Sequence, residues 1–238
     1  MKKFELTTEC ITVCGEKLFR IRAILPFENI EAGELGGYIA KEENLDHDGT
    51  AWVAENAHVF GNARVSGNAR VAGNAYVFEN AHVAGNAYVG GRSCVFGNAH
   101  VAGNARATEN AHVCGDTYVV GNACACGNVH VAGNALVAGN ARVSGESYVV
   151  GTACVVRDAD YASVKGFGRM HRHTTFFRCA DGIVRVRCGC FYGQIPEFRE
   201  RVKNTSSGKI RKEYLTIADL MEYHFSEEND TQERTDES

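Results

Sequence analysis

Two histidines and two cysteines near the C-terminus are of the types that bind zinc. His171 and His173 lie in "HRHTTFFR", and Cys188 and Cys190 lie in "VRVRCGCFY". Imidazole nitrogens and thiolates are common zinc ligands. If Asp181-Gly182 forms a two-residue hairpin turn between the two stretches, all four side chains share one strand face, which we predict to be the core face. The C-x-C spacing is not the usual C-x₂-C, so buried free thiols are the alternative, and we predict no metal and no cofactor.

The opposite face of the same predicted hairpin is basic. It places one aromatic ring, Phe176, among four arginines: Arg172, Arg178, Arg185 and Arg187. Basic residues interleaved with an aromatic ring are typical of surfaces that bind nucleic acid or a phosphorylated ligand. A solvated basic face, or contact with the acidic tail of the chain itself, is the alternative.

A six-residue repeat occupies most of the chain between these stretches and the N-terminus. From Gly49 to Val156 the pattern G-N-A-x-V-x recurs without insertion, as in "GNARVSGNARVAGNAYV". Two small or aliphatic residues separated by one outward residue are typical of a short strand, and Gly-Asn supplies a corner. Short strands alternating with sharp corners predict a solenoid. Phe60, Phe78 and Phe96 are spaced eighteen residues apart, which indicates that three hexads make one coil.

This repeat resembles that of the hexapeptide-repeat, left-handed β-helix family. The pairs Val53/Ala57 and Val59/Ala63 fit that family's aliphatic and small positions. The resemblance implies a single-stranded, left-handed parallel β-helix of about six triangular coils. The preceding "ENIEAGELGGYIAKEENL" resembles the start of phage and bacterial proteins of the transferase-like or polymer-forming cytoskeletal type. "TTFFRCADG" through "KEYLTIADLMEYHF" resembles a C-terminal domain recurrent in phage proteins.

The outward positions between coils hold the candidate residues of the repeat region. Tyr76 and the three Phe make an apolar column, and a large apolar patch usually contacts a partner. Cys94, His112 and His130 stack as a second possible set of metal ligands. Acyl transfer is the best-known activity that the resemblance implies. His82 and His100 are the candidate bases, but no loop leaves the coils to position them.

The repeat pattern and the distribution of charge divide the chain into four predicted segments. Residues 1–48 are a hairpin about Cys14-Gly15 and a cap, 49–162 the β-helix, 163–225 a basic α+β module, and 226–238 an acidic disordered tail. The module carries 12 Lys/Arg and 6 Asp/Glu, a net charge of +6. We expect a hairpin and two helices in it, the second with an apolar stripe at Leu215, Ala218 and Met221 or Leu220.

Compartment and function are expectations drawn from what the sequence lacks and what it resembles. The N-terminus is not typical of a signal peptide, and no apolar run has the length of a membrane span, so we expect a cytoplasmic protein, in the host cytoplasm if phage-encoded, with ten free thiols. We expect a non-enzymatic, homo-oligomeric interaction protein that binds or inhibits a host protein or nucleoprotein, such as a CRISPR or other defence complex. Nucleic acid is a possible partner of the C-terminal module. A hexapeptide-type acyltransferase and a self-assembling scaffold are the alternatives.

Overall fold

The computed structural model describes residues 1–226, which divide into two compact units. The solenoid unit spans Met1–Val156, and the C-terminal module begins at Arg157. The acidic residues 227–238, predicted to be a disordered tail, lie outside the described residues. Among residues 1–226, no helix combines the length and the apolar composition that crossing a membrane requires.

The repeats form a parallel β-solenoid, as predicted. Two-residue strands β4 to β21 begin at Trp52–Val53 and recur every six residues to Cys154–Val155. Each strand pairs in parallel with the strand eighteen residues further on, so that Trp52 lies beside Arg70 and Tyr88 beside Arg106. The strands thereby form three sheets, and three strands make one coil.

The solenoid has about seven turns because it begins before the first G-N-A-x-V-x hexad. Strand β3, Leu35–Ile39, pairs in parallel with β5, His58–Val59, through Tyr38 and His58. Leu45 forms an isolated parallel bridge with Val65. These pairs are twenty residues apart, so the first coil is two residues longer than the others. The left hand implied by the family resemblance stays a prediction.

The interior contains only small and aliphatic side chains. Every inward Val of the hexads is completely buried, and so are Ala107 and Ala125, which replace Val at the same hexad position. Ser93 takes the place of an inward Ala, and its hydroxyl donates to the carbonyl of Gly90 at 2.8 Å. Burial of uniform apolar side chains along the whole axis supplies the main stabilisation of such a coil.

The corners require backbone conformations that few residues adopt. Gly85 has φ +68°, and a Cβ there would lie 3.0 Å from the backbone nitrogen and oxygen of Gly103 in the next coil. Glu79 occupies the same kind of corner with φ +58°. Its carboxylate accepts a hydrogen bond from the Gly97 amide at 2.9 Å, which offsets part of the cost of this conformation.

Asparagine side chains connect the corners of successive coils. Asn68 Nδ2 donates to Asn86 Oδ1 at 3.1 Å, and Asn86 Nδ2 donates to Asn104 Oδ1 at 3.0 Å. The same ladder continues through Asn122 to Asn140 at 2.9 Å per bond. Within the ladder, each Asn side-chain amide both donates and accepts a hydrogen bond. The Asn of the hexad therefore stabilises the stacking of successive coils as well as the turn.

An antiparallel hairpin precedes the coils, as predicted. Strands β1, Phe4–Val13, and β2, Glu16–Ala23, are joined by Cys14 and Gly15, both at positive φ. Positive φ at both central residues is the geometry of a tight hairpin turn. Strand β2 also pairs with β3, so the hairpin continues one of the three solenoid sheets.

The C-terminal module is a four-stranded antiparallel sheet followed by two helices. Its strands are β22, Tyr161–Phe167, β23, Arg172–Arg178, β24, Val184–Cys188, and β25, Phe191–Gln194. Its helices are α1, Ile195–Thr205, and α2, Gly208–His224. Short 3₁₀ turns lie at Glu42–Asn44 in the solenoid unit and at Asp158–Asp160 in the module.

Both helices pack on one face of this sheet. Helix α1 begins at a capping box in which the Glu197 carboxylate accepts from the Gln194 amide at 2.8 Å. The core joins Phe176 and Val186 of the sheet to Phe198 of α1 and Ala218 of α2. Helix α2 also buries Ile217 and Met221, whereas Leu220 of the predicted stripe is 56% exposed.

We predict that the asparagine ladder stabilises the solenoid unit measurably. Asn86→Ala removes two side-chain hydrogen bonds between coils and should lower the free energy of unfolding by about 1 kcal/mol. Asn74→Ala is the matched control, because Asn74 holds the same hexad position and its side chain bonds to no described residue. Urea denaturation of both variants measures the difference, and equal losses would contradict a role for the ladder.

Candidate functional site

The three phenylalanines predicted to stack do form a column on one solenoid face. The rings of Phe60 and Phe78 lie 5.1 Å apart between centroids, and those of Phe78 and Phe96 lie 4.9 Å apart, each pair within 5° of parallel. Tyr76, in the neighbouring outward column, stacks on His58 at 4.6 Å. The eighteen-residue register aligns these rings, because each lies directly above its equivalent in the next coil.

Part of this column is covered by the N-terminal hairpin. Phe60 is only 6% exposed and packs with Leu18 of β2 and Tyr38 of β3, while Ile11 and Val13 of β1 pack against the same cluster. Phe60 is therefore a core residue, and its predicted role in partner binding is wrong. Tyr76 and Phe78 are half-buried at the edge of this cluster, and Phe96 is half-buried beyond it.

Histidines and tyrosines form further stacked columns on the solenoid. His82 lies 5.2 Å from His100, which lies 4.8 Å from Tyr118. His112 lies 4.9 Å from His130, which lies 4.8 Å from Tyr148. Burial lowers the pKa of His82, and the neighbouring His100 and Arg64 lower this pKa further.

The pKa of His130 is also lowered, mainly by burial and to a smaller extent by the adjacent His112. Burial alone lowers the pKa of His58. The folded solenoid unit therefore favours the neutral form of these three imidazoles.

The hairpin of the C-terminal module has a different register from the one predicted. Cys179 donates its amide hydrogen to the Ile183 carbonyl at 3.0 Å, which leaves Ala180, Asp181 and Gly182 as a three-residue loop. Gly182 has φ +78°, the left-handed conformation such a loop requires. Phe176 consequently pairs with Val186. A shift of one residue moves the side chains of one strand to the opposite face relative to the other strand.

This shift divides the predicted basic face. Phe176 is completely buried in the helix-facing core, so it offers no ring for stacking. Along β23, Arg172 and Arg178 lie on the same face as Phe176, and Thr175 and Phe177 lie on the opposite face. Arg185 pairs with Phe177 and therefore lies on that opposite face. Arg187 pairs with Thr175 on that same face. The prediction that the four arginines surround Phe176 is therefore wrong.

Two of these arginines stabilise the module itself. Arg178 donates to the carbonyl of Phe225 at 3.2 Å and pairs with the buried carboxylate of Asp160 at 3.5 Å. Arg185 binds both carboxylate oxygens of Asp181, at 2.8 and 2.7 Å. The hydrogen bonds from Arg185 lower the pKa of Asp181 to about 2. These two contacts fix the end of α2 and the hairpin loop.

The four candidate zinc ligands do not converge. Cys188 lies opposite Thr174, whose hydroxyl donates to its sulfur at 3.2 Å, while His173 is adjacent to Thr174 and lies on the other face. The ring of His171 bonds to the Gly166 carbonyl at 2.9 Å. Within residues 1–226, no group of three or more His, Cys, Asp or Glu side chains is placed to hold a metal ion, including the column of Cys94, His112 and His130. All ten cysteines are free thiols, as predicted.

A cleft in the C-terminal module is lined by three arginines, of which only Arg172 belongs to the predicted basic face. It has a volume of about 460 Å³ and lies between the β24–β25 turn, the segment before β23, and the two helices. We call it the arginine cleft and define it by six lining residues: Arg169, Arg172, Cys188, Cys190, Arg201 and Tyr214. None of the described lining residues carries a carboxylate.

The three guanidinium groups of the arginine cleft have no acidic partner among residues 1–226. Arg169, Arg172 and Arg201 form no ion pair with a described carboxylate. Arg199, on the same helix as Arg201, instead pairs with Asp219 and Glu222 of α2. Asp219 and Glu222 are thus engaged by Arg199 and not by a cleft arginine.

One wall of the cleft is aromatic. Phe191 and Phe198 have ring centroids 5.5 Å apart, and Phe198 contacts Tyr214 edge-on at 5.8 Å. Burial, followed by the neighbouring Cys188, raises the pKa of Tyr214 to about 12, so its hydroxyl keeps its proton. Gly168, at φ +71°, permits this packing, because a Cβ there would lie 2.2 Å from the Tyr214 hydroxyl oxygen.

The start of α2 forms another side of the cleft. Ser206 and Ser207 line it, the Ser207 side chain makes no capping bond, and the first turn contains no acidic residue. Unpaired amide hydrogens at a helix start favour negative charge. The loop that positions them is held by Arg211, which donates to the carbonyls of Ser206 at 2.7 Å and Lys203 at 2.9 Å.

Arg169 and Arg201 were not predicted from the sequence as site residues. Both occur in segments of the basic module, but they lie 32 residues apart, on a loop and a helix. A strand-face argument cannot connect them. The charge pattern of α1 does not single out Arg201 either, because Glu197 precedes it by four residues and lies on the same helix face.

No family model matches the chain, and no curated protein matches its sequence. The columns and the arginine cleft therefore carry the functional argument by their own chemistry.

We predict that acid destabilises the solenoid unit through its stacked histidines. Because the pKa values of His58, His82 and His130 are lowered in the folded state, the unfolded chain takes up protons first as the pH falls below about 6.5. The free energy of unfolding should therefore be unaffected by these groups above pH 7 and should decrease towards pH 5.5.

Replacing two of these histidines by the stacking residue the chain itself uses tests the cause. His82→Tyr combined with His130→Tyr should reduce the loss of stability between pH 7.5 and pH 5.5, measured by urea denaturation. His224→Gln is the control, because His224 is exposed at the end of α2. An unchanged pH dependence in the double variant would contradict the assignment.

Proposed function

We propose that this chain is a non-enzymatic binding protein whose C-terminal module attaches to a phosphate-bearing partner, a nucleic acid or a nucleoprotein. The observation that carries the proposal is the arginine cleft, where Arg169, Arg172 and Arg201 meet without a described acidic partner. Guanidinium groups bind phosphate in a bidentate manner and keep their charge at all physiological pH values.

The distribution of ion pairs supports this choice of partner. Arg178, Arg185 and Arg199 are neutralised by carboxylates within the module, whereas the three cleft arginines are not. The module carries a net charge of +6 over residues 163–225. An excess of unpaired positive charge concentrated in one concave site attracts a polyanion more strongly than a dispersed charge.

The solenoid unit supports a binding role rather than acyl transfer. The eighteen-residue register runs from β4 to β21 without an inserted loop, and the interior is filled by Val and Ala. His82 lines a hollow of about 230 Å³ with Asp46 and Ser66, but no described residue hydrogen-bonds to its imidazole. A general base needs such an orienting partner.

The assignments to the hexapeptide-repeat family, to a phage and to a host partner rest on the family resemblance, and we propose them on that basis. A hexapeptide-repeat, left-handed helix of the phage type implies a partner in the host cytoplasm. A defence complex that contains nucleic acid, such as a CRISPR complex, offers both a protein surface and phosphates. The self-assembling scaffold stays an alternative to this role.

The aromatic column supports a second element of the proposal, which is self-association. Phe96 is half-buried and lies outside the cluster that the N-terminal hairpin covers. A second copy of the chain presents the same ladder with the same spacing, and a two-fold contact matches such a surface to itself. We therefore propose a homodimer formed through the exposed part of this column.

We predict that the three cleft arginines determine the salt dependence of polyanion binding. Replacing Arg169, Arg172 and Arg201 by Ala should weaken binding of labelled RNA or DNA at least tenfold at low salt. It should also flatten the slope of log affinity against log salt by about two to three, because three phosphate contacts are lost. Fluorescence anisotropy of the full chain at several salt concentrations measures both quantities.

A variant with the same change in net charge serves as the control. Arg64, Arg70 and Arg106 are exposed on the solenoid unit, and replacing all three by Ala leaves the cleft intact. This control should keep most of the affinity and the slope. Equal effects in the two triple variants would assign the binding to net charge and refute the cleft as the site.

We predict that Phe96→Asp converts the homodimer to a monomer, because it places a charge in the apolar contact. Light scattering coupled to size-exclusion chromatography measures the mass. Tyr118→Asp is the control, since Tyr118 is an exposed, stacked ring that lies on a different sheet. A dimer that persists in Phe96→Asp would remove this face from the proposal.

A further inference from the structure

We propose that the arginine cleft holds one unpaired nucleotide of a single-stranded nucleic acid, with its phosphate on the arginines and its base against the aromatic wall. This inference rests on the proposed function and narrows the partner to a single strand. It follows from the size of the cleft, from its two chemically different sides, and from the conformation in which a base can enter it.

The size of the cleft suits a nucleotide. Its volume of about 460 Å³ lies within the range of roughly 300–1,000 Å³ that is typical of small-ligand sites. A surface that follows only a phosphate backbone needs no such concavity. A cleft of this volume has room for a group other than phosphate as well.

The apolar side of the cleft suits a base. Phe191 and Tyr214 are each half-buried, so part of each ring faces the cleft, and both contact the buried ring of Phe198 between them. Proteins that bind single strands place bases on aromatic side chains next to a basic groove. The hydroxyls of Ser206 and Ser207, which also line the cleft, can exchange hydrogen bonds with the edge of a base.

The basic side of the cleft suits a phosphate. Arg172 lies over Gly189, where a Cβ would come within 2.9 Å of its Nη1 atom, so the guanidinium rests on the β24–β25 turn at the cleft. Arg169 and Arg201 approach the cleft from the loop and from α1. The first turn of α2, which lacks an acidic residue, adds amide hydrogens of the same polarity.

A duplex does not meet both requirements at once. Bases in a helix are stacked on one another and paired along their edges, so they present phosphates but no free ring face. Only an unpaired nucleotide can satisfy the arginines and the aromatic wall together. The cleft should consequently prefer a single strand over a duplex of the same sequence.

The test uses the full chain and three probes at equal phosphate concentration. These are a labelled 12-nucleotide single-stranded RNA, its duplex with the complementary strand, and inorganic polyphosphate as competitor. We expect the single strand to bind at least about tenfold more tightly than the duplex, and polyphosphate to compete weakly.

Two variants separate the contribution of the base from that of the phosphate. Phe191→Leu keeps an apolar side chain but removes the ring, and should weaken single-strand binding at least about fivefold, in keeping with the cost of losing one stacked base. Its affinity for polyphosphate should be unchanged, because the arginines remain. Phe167→Leu is the matched control, since Phe167 is 38% exposed and does not line the cleft.

Thiol labelling locates the bound strand independently of affinity. Cys190 lines the cleft and is exposed, whereas the exposed Cys10 and Cys14 lie in the N-terminal hairpin. Saturating single-stranded RNA should slow iodoacetamide modification of Cys190 and leave the other two unaffected. Protection of all three thiols, or of none, would overturn the location.

The outcomes distinguish this inference from the function on which it rests. Equal affinity for single strand and duplex, with both lost in the triple arginine variant, would overturn the single-nucleotide site and keep the polyanion-binding function. Unchanged single-strand affinity in Phe191→Leu would likewise overturn the base contact. Failure of all three probes to bind would overturn both proposals.

Discussion

The stacking of each coil on the next, through backbone hydrogen bonds between residues eighteen apart, constrains every other feature of the solenoid unit. A strand of only two residues has little stability by itself, and it persists because its neighbours above and below repeat it. The repetition requires corners that recur at the same φ, which explains the glycines and the rarer Glu79 with its compensating hydrogen bond to Gly97. It also limits the interior to Val, Ala and small polar residues that fit one fixed cross-section.

The same constraint decides where function can lie. Inward positions are fully occupied by packing, so only outward side chains and the elements added at the ends are available for binding. Outward side chains necessarily form columns, and some neighbours in them are alike, such as Phe78 above Phe96 and His82 above His100. Such a column is suited to an extended contact with another surface. A concave site needs other elements, and in this chain the sheet and helices of the C-terminal module form one.

The sequence predicted the repeat region well, but it predicted poorly which residues come together in the C-terminal module. The reason is physical. An eighteen-residue period sets the neighbours of Phe78 directly, and the Cys14-Gly15 turn sets the register of the first hairpin. In the second hairpin one additional loop residue, Ala180, reversed the faces of β23 relative to β24, which is enough to bury Phe176 and separate the arginines. Arg169, Arg172 and Arg201 converge only through the packing of α1 and α2 on the sheet, and no local pattern encodes that arrangement.

The N-terminal hairpin has a consequence for growth beyond a single molecule. In the sheet that contains β3, the parallel stack does not end in an open coil but continues into two antiparallel strands, so its outermost edge is β1. A second solenoid arriving head to tail would offer parallel two-residue strands to a ten-residue antiparallel edge with a bulge between Leu6 and Cys10. These edges do not match in length or direction, and a bulged edge resists strand addition. The hairpin thus presents a mismatched edge for strand addition at this end of the sheet, although the repeat itself could in principle be extended by further coils.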